Sequence, residues 1–279
     1  MSVAEAEIPH GARPVAPLPP APAPTAMTLD GYMARDLYKV DGFLKRLDAR
    51  VIHAMAGWQT RHQVSGGLAE IGVHHGKLFF ILALSRQAGE RALAMDLFTD
   101  DALNAGTVSA GRDRAFFAHA KRFGVRLDDI DILQGDSLTM TPDDILSRCG
   151  PVRMFSVDGG HLYHHVENDL MLADAALHDQ GVIAVDDFCN ATWPEVTFAA
   201  FDFLKEAKGD IAPAVLTKNK LYLCRPDAVR FYEDGVTRAG LVEGEPERVE
   251  MMGRQVLMLR QGIKSRAVDE LRSRFARRF

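Results

Sequence analysis

Two short stretches of the chain end in carboxylates. "MFSVDGGH" runs from Met154 to His161, and "GVIAVDDF" runs from Gly181 to Phe188. In each, an apolar run stops at an acid: Asp158 in the first, the pair Asp186 and Asp187 in the second. If these runs are neighbouring strands, three carboxylates converge at one mouth, where they repel and raise one another's pKa values. A divalent cation removes that conflict. A few hard oxygen ligands, with positions left open to water or substrate, suit Mg2+. His161 follows Asp158 by three residues, and Gly159 and Gly160 between them let the chain turn back sharply. An imidazole takes and gives a proton near neutral pH, so His161 is the candidate general base. The plainer reading has one acid capping a helix and another pairing with Arg153 or Lys218, with His161 as a hydrogen-bond donor or a supporting neighbour. Asn190 is a further candidate ligand or substrate contact, or a turn residue before "WPEV".

A second constellation precedes the first. "EIGVHHGK" carries Glu70, Gly72 and Gly76 at the end of an apolar run. Gly72 permits a tight turn and close backbone approach, and Gly76 opens the next helix. The spacing is E-x-G-x-x-x-G, not G-x-G-x-x-G. Asp96 ends the next apolar run, where an acid can accept both hydroxyls of a ribose. "QGDS" ends the third, where Asp136 can accept from an exocyclic amine and Ser137 can donate to a ring nitrogen. Each alone reads equally as a turn residue or cap. Acids at three successive strand ends after a glycine turn read together as a nucleoside site.

The elements that must position these residues alternate. Strands are expected in "LAEIGV", "RALAMDLF", "IDILQGDS", "VRMFSVDGG" and "GVIAVDDF". Helices are expected between them in "GKLFFILALSRQ", from Gly111 to Phe123, near Asp143 to Arg148 after the start signal "TPDD", and from His164 to Asp179. A last helix runs from Trp193 to Lys208, and "PAVLTKN" and "KLYLCRP" follow as a hairpin. Apolar strands separated by helices imply an α/β fold with a mostly parallel sheet covered on both faces, to which the closing hairpin adds an antiparallel strand. Ligands then bind outside the carboxyl ends of the strands.

In these residues the chain resembles the class I S-adenosylmethionine-dependent methyltransferases, from about Ala69 to Pro226. That resemblance implies a Rossmann-like sheet of seven strands with a reversed last hairpin. It implies Glu70 and Gly72 near the methionine part of S-adenosylmethionine, with Gly76 in the same motif. Asp96 would then lie on the ribose, and Asp136 with Ser137 on the adenine. The "VDGGH…DDF" pair is similar to the metal-dependent O-methyltransferases, which include catechol O-methyltransferase and the macrolide-sugar (macrocin-type) enzymes. This implies Mg2+ held by Asp158, Asp186 and Asp187, with Asp158 both catalytic and next to the cofactor. The base position holds lysine in the catechol enzymes and histidine in the sugar enzymes; here it is His161. The implied reaction is methyl transfer to a hydroxyl of a sugar or other polyhydroxylated small molecule. The alternatives are a catechol or phenol acceptor, a nicotinamide-binding oxidoreductase, disfavoured by the missing G-x-G-x-x-G, and a non-catalytic nucleoside-fold protein.

Composition bounds the rest. The 279 residues are 47% hydrophobic and 25% charged, with a formal net charge of -5, so neither nucleic acid nor an anionic membrane surface is an expected partner. Cys149, Cys189 and Cys224 lie far apart without a CxxC, which fits a cytoplasmic protein and no zinc site. Neither a signal peptide nor a membrane span is read from the sequence. The expected divisions are a disordered Pro/Ala-rich tail over 1–27, a helical cover over 28–66, a catalytic domain over 67–228 and a helical extension over 229–279. Helices at both ends of the core make a homo-oligomer an open expectation. His74, His75, His164 and His165 are expected to shape turns or face solvent. Trp193 and Phe188 are either core or an apolar wall beside an acceptor.

Overall fold

A computed structural model of the chain describes residues 27–98, 112–207, 210–242 and 244–260. The Pro/Ala-rich run before Met27, Gly111, Lys208 and the arginine-rich end after residue 260 lie outside the described residues.

Among the described residues, nine strands form one sheet in the order β3-β2-β1-β4-β5-β7-β6-β9-β8. They are β1 Gly67–Ile71, β2 Ala92–Asp96, β3 Ile130–Gln134, β4 Val152–Val157, β5 Leu177–Val185, β6 Ala212–Leu216, β7 Leu221–Cys224, β8 Glu247–Met251 and β9 Arg254–Met258. The first five are parallel to one another. β7 runs antiparallel between β5 and β6, as the hairpin reading expected. The strand order reverses between β1 and β4, and the crevice at such a point is where open α/β sheets bind ligands.

The helices are α1 Leu29–Gly31, α2 Arg46–Arg61, α3 Phe79–Leu84, α4 Arg112–Arg122, α5 Pro142–Cys149, α6 Tyr163–Ala176, α7 Pro194–Glu206 and α8 Val229–Arg238. Alternate strand residues point to opposite faces. Leu68, Ala92, Ala94 and Met154 pack with Ile52, Phe80, Phe116 and Val236 on one side. Ala69, Leu93, Met95 and Phe155 pack with Ile145, Leu170, Ala199 and Phe203 on the other. Both faces of each central strand are therefore covered, which is why these strands read as largely apolar runs.

Local chemistry sets the helix ends. Thr141 accepts from Asp144 N while Asp144 accepts from Thr141 N, and Pro142 occupies the first turn, so "TPDD" starts α5 as expected. Helical structure between Asp30 and Gln63 is not continuous. Gly42, at φ +143°, interrupts it before α2 begins. α6 stops at Ala176 rather than Asp179, because Leu177 to Gln180 are already part of β5.

The seven-strand expectation is corrected to nine. Among the described residues after Pro226, expected to be a helical extension, the chain forms the helix α8 and then the β8–β9 hairpin, joined at Met252 and Gly253, both at positive φ. β9 pairs parallel to β6, and β8 is the sheet edge. Edge strands carry charged residues that block further pairing, so "ERVEM" does not look like a strand in sequence. Among the described residues no helix is long and apolar enough to cross a membrane.

Candidate active site

The parallel ladder continues one residue beyond β1, β4 and β5. Gly72 N donates to Met95 O, Asp158 N to Ile71 O and Asp186 N to Val157 O, each at 2.9 Å. This staircase brings Gly72, Asp158 and Asp186 side by side at the carboxyl end of the sheet. Gly72 adopts φ +86°, and a Cβ there would run into the backbone carbonyl of Asp158. The close approach that Gly72 permits is thus to the neighbouring acid loop. Gly72→Ala is expected to cost at least ~2 kcal/mol, from left-handed strain plus overpacking against backbone, measured by urea unfolding.

Asp158, partly buried, shares a hydrogen bond with Asp186, and burial, followed by the Asp186 charge, holds its carboxyl well above the usual range. Asp186 is 7% exposed and has two further side-chain partners, Lys220 and Asn219. Lys220 Nζ lies 2.9 Å from its Oδ2, and Asn219 Nδ2 donates to its Oδ1 at 2.6 Å. Asp187 stands at φ +53°. Its Oδ2 is 3.0 Å from His161 Nε2, and its Oδ1 accepts from Asn190 Nδ2 at 2.7 Å. Burial pushes Asp187 up, but the hydrogen bonds from His161 and Asn190, with the charges of His161 and Lys220, bring it below the usual carboxylate range.

Gly159 and Gly160 have no room for a side chain. A Cβ on Gly159 would meet Asp169 Oδ2 at 2.6 Å, and one on Gly160 would meet the His165 ring at 2.7 Å. The His161 ring stacks on Trp193, with centroids 4.4 Å apart and planes at 21°. Behind the acids a small pocket is bounded by Asp158, Gly160, His161 and Asp186, with Val166 and Val196 as its apolar wall. Phe188 is fully buried and belongs to the core.

Asp158, His161 and Asp187 each bring one ligand atom within 4.8 Å of the others. Two carboxylates and an imidazole suit a divalent cation that keeps open positions, and Mg2+ is commonly held by one or two carboxylates plus substrate oxygens. The donor set therefore fits such an ion. Of the three expected ligands, Asp158 and Asp187 lie in this group. Asp186 lies beside it, its two oxygens engaged by Asn219 and Lys220.

The pairing with Arg153 or Lys218 that the plainer reading allowed is not the one found. Arg153 is fully buried near the start of β4, with Nε and Nη2 each donating to Glu90 at 2.8 Å and Nη1 donating to Gln59 Oε1 at 2.8 Å. The cation at the acids is Lys220, 1% exposed, at the close of the turn between β6 and β7. Burial alone would lower its pKa; the charges of Asp186, Asp158 and Asp48 more than reverse that and hold it above its ordinary value. Neither Lys220 nor Asn219 stands out in the sequence, where "TKNK" reads as an ordinary polar turn.

On the nucleoside side, Glu70 is 2% exposed, accepts from Ser156 Oγ at 3.3 Å, and has no partner for Oε2. Burial holds it well above the usual carboxylate range. Asp96 accepts from His74 N and Phe98 N, both at 2.8 Å, so it fastens the β1 turn to the end of β2. Asp136 caps the short turn after β3 by accepting from Leu138 N at 3.0 Å. Ser137 hydrogen-bonds Asp169, a buried α6 carboxylate that burial raises to about 6. A Cβ on Gly76, at φ +87°, would strike the Phe80 and Phe116 rings, so this glycine serves helix packing. The unpartnered Glu70 oxygen and the acids at the ends of adjacent strands are acceptors, the groups that ribose hydroxyls and an adenine amine would need.

Residues 69–188 match the family model described as a methyltransferase domain. Among solved structures, the O-methyltransferase NovP is similar at 15% identity, with 64% of this chain and 80% of that one covered and a TM-score of 0.52. The apo structure of CalS11, a TDP-rhamnose 3'-O-methyltransferase of calicheamicin biosynthesis, is 20% identical over 74% of this chain and 88% of that one, at a TM-score of 0.47. TomG from Streptomyces achromogenes, an O-methyltransferase of tomaymycin synthesis, is 17% identical over 65% and 80%, at a TM-score of 0.47. No curated protein sequence matches the chain. NovP shares the fold, and residues 69–188, which match the methyltransferase-domain model, hold every strand-end acid described above.

Proposed function

We propose that the chain transfers a methyl group from S-adenosylmethionine to a hydroxyl of a sugar or another polyhydroxylated small molecule, with His161 as general base and Mg2+ held by Asp158 and Asp187. The observation that carries this reading is the convergence of Asp158, His161 and Asp187 on one point of a methyltransferase domain. When bound, S-adenosylmethionine supplies an electrophilic methyl group and the cation supplies Lewis-acid stabilisation of a developing alkoxide.

The chain's own residues do the rest. Asp187 accepts from His161 Nε2, which leaves Nδ1 to take the acceptor's proton; an orienting carboxylate on one ring nitrogen is how histidine bases are commonly held. Trp193 packs against the ring and fixes its plane. Asn190 holds the other Asp187 oxygen, so that carboxylate cannot turn away from His161. Lys220 and Asn219 hold Asp186 and relieve its repulsion of Asp158. Glu70, Gly72, Asp96, Asp136 and Ser137 form the proposed nucleoside side of the crevice. The proposed catalytic unit is residues 67–228, under a helical cover of residues 28–66.

The test is transfer of labelled methyl from S-adenosylmethionine to a panel of glycosides, with and without EDTA. Turnover is expected to vanish with chelator and to return with Mg2+. Full activity in EDTA overturns the cation and leaves the methyl transfer; no transfer to any hydroxylated acceptor overturns the reaction itself.

A further inference from the structure

Asp48 is a carboxylate out of place in the helix that carries it. An acid in the first turn of a helix ordinarily faces water and the helix dipole. Asp48 sits in the first turn of α2 but is 2% exposed, in the buried stripe formed by Leu47, Val51, Ile52 and Met55. A polar group is buried at a cost unless hydrogen bonds offset it. Oδ1 of Asp48 accepts from Thr217 Oγ1 at 2.6 Å and from the Tyr222 hydroxyl at 3.2 Å. Both partners belong to the turn between β6 and β7 and its exit strand. That turn is the one that holds the acids. Thr217 Oγ1 accepts from Lys220 N at 2.9 Å and from Asn219 N at 3.3 Å, so one hydroxyl ties the turn's backbone to Asp48. Asn219 and Lys220 in turn hold Asp186. Asn219 O accepts from Phe188 N at 3.1 Å, which grips the backbone just past Asp187. An unbroken series of contacts therefore runs from α2, through the turn, to the residues on either side of Asp187.

We infer that Asp48 is a positioning residue of the acid site: through Thr217 it fixes the turn that sets where Asp186 and Asp187 stand, and so how well the site takes a divalent cation. The inference rests on the proposed cation at Asp158 and Asp187. It makes α2, which lies before the matched residues 69–188, part of the working unit and more than a cover. Groups that orient metal-ligating carboxylates commonly change affinity or activity by about 10- to 100-fold when they are removed. Thr217 is 2% exposed, so the link from Asp48 to the turn is shielded from water along its length.

Mg2+ is titrated into the full chain with S-adenosylhomocysteine present, and the midpoint is read from the thermal shift. Thr217→Val keeps the shape of the side chain and removes the hydroxyl. It is expected to raise that midpoint by about 10- to 100-fold, and Thr217→Ser to stay within about threefold of the unmodified chain. Asp48→Leu is expected to follow Thr217→Val, and Asp48→Asn, which keeps an acceptor oxygen, to follow Thr217→Ser. The S-adenosylhomocysteine midpoint in EDTA is expected to stay within about twofold in all four variants, because the turn does not touch the proposed nucleoside side. A tie that serves stability alone lowers the melting temperature and leaves the Mg2+ midpoint in place. That result in Thr217→Val overturns the inference and leaves the methyl transfer standing; since Thr217→Val cuts the same link, the outcome does not depend on Asp48→Leu folding. A raised midpoint in Thr217→Val together with an unchanged one in a folded Asp48→Leu overturns the role of Asp48. No response to Mg2+ in the unmodified chain overturns the cation and the inference together.

Discussion

Lys220→Met is expected to destabilise the fold by about 3–5 kcal/mol, the range for removing one partner of a buried ion pair. The lysine is 1% exposed and its ammonium lies 2.9 Å from Asp186. Asp158, Asp48 and Asp186 all act on it electrostatically, so its loss leaves several carboxylates without their common cation. Methionine fills most of the volume, so the deficit is one of charge and not of packing. Urea unfolding in the presence of EDTA measures it. The double variant Lys220→Met with Asp186→Asn is expected to lose less than the sum of the two single losses, because the second change removes a charge that the first left unpaired. Additive losses would show that the two side chains do not interact.

His161→Gln is expected to lower kcat by about 10²- to 10⁴-fold, the usual contribution of a positioned general base. Glutamine keeps a polar, planar group that can still meet Asp187, but it cannot take a proton. The His161 side chain is 32% exposed, so the fold should tolerate the change. Binding of S-adenosylhomocysteine, read as a thermal shift, should be unaltered, and the acid-side fall in kcat that a histidine base produces should disappear. Unchanged turnover removes His161 from the chemistry. Equal losses of cofactor binding and kcat would make its role structural.

The sequence was most informative where one residue type has one physical meaning in its position. β1, β2, β4 and β5 are covered on both faces, so their apolar runs announced a parallel sheet. Asp158, Asp186 and Asp187 ended such runs, so their meeting at one mouth followed from the topology. Thr141 and Pro142 marked a helix start with local chemistry alone. What stayed hidden depends on distant partners. Lys220 sits in a polar hairpin turn, and nothing near it in sequence says that the turn folds back over the end of β5. Arg153 lies one strand-length before Asp158, yet it pairs with Glu90 and Gln59 instead. Which of Asp186 and Asp187 meets His161 is set by the fold, and two adjacent aspartates look alike in sequence. β8 escaped because a charged edge strand and a solvated helix can share the same residues.

The missing side chain at Gly72 has a thermodynamic consequence. Its backbone and that of Asp158 lie too close for a side chain between them, so the turn proposed for the nucleoside and the loop proposed for cation and acceptor are in direct contact. A ligand that settles one of these proposed sites is expected to settle the other. Linkage makes that help mutual: whatever factor cofactor binding adds to affinity on the Asp158 side, occupancy there returns to the cofactor.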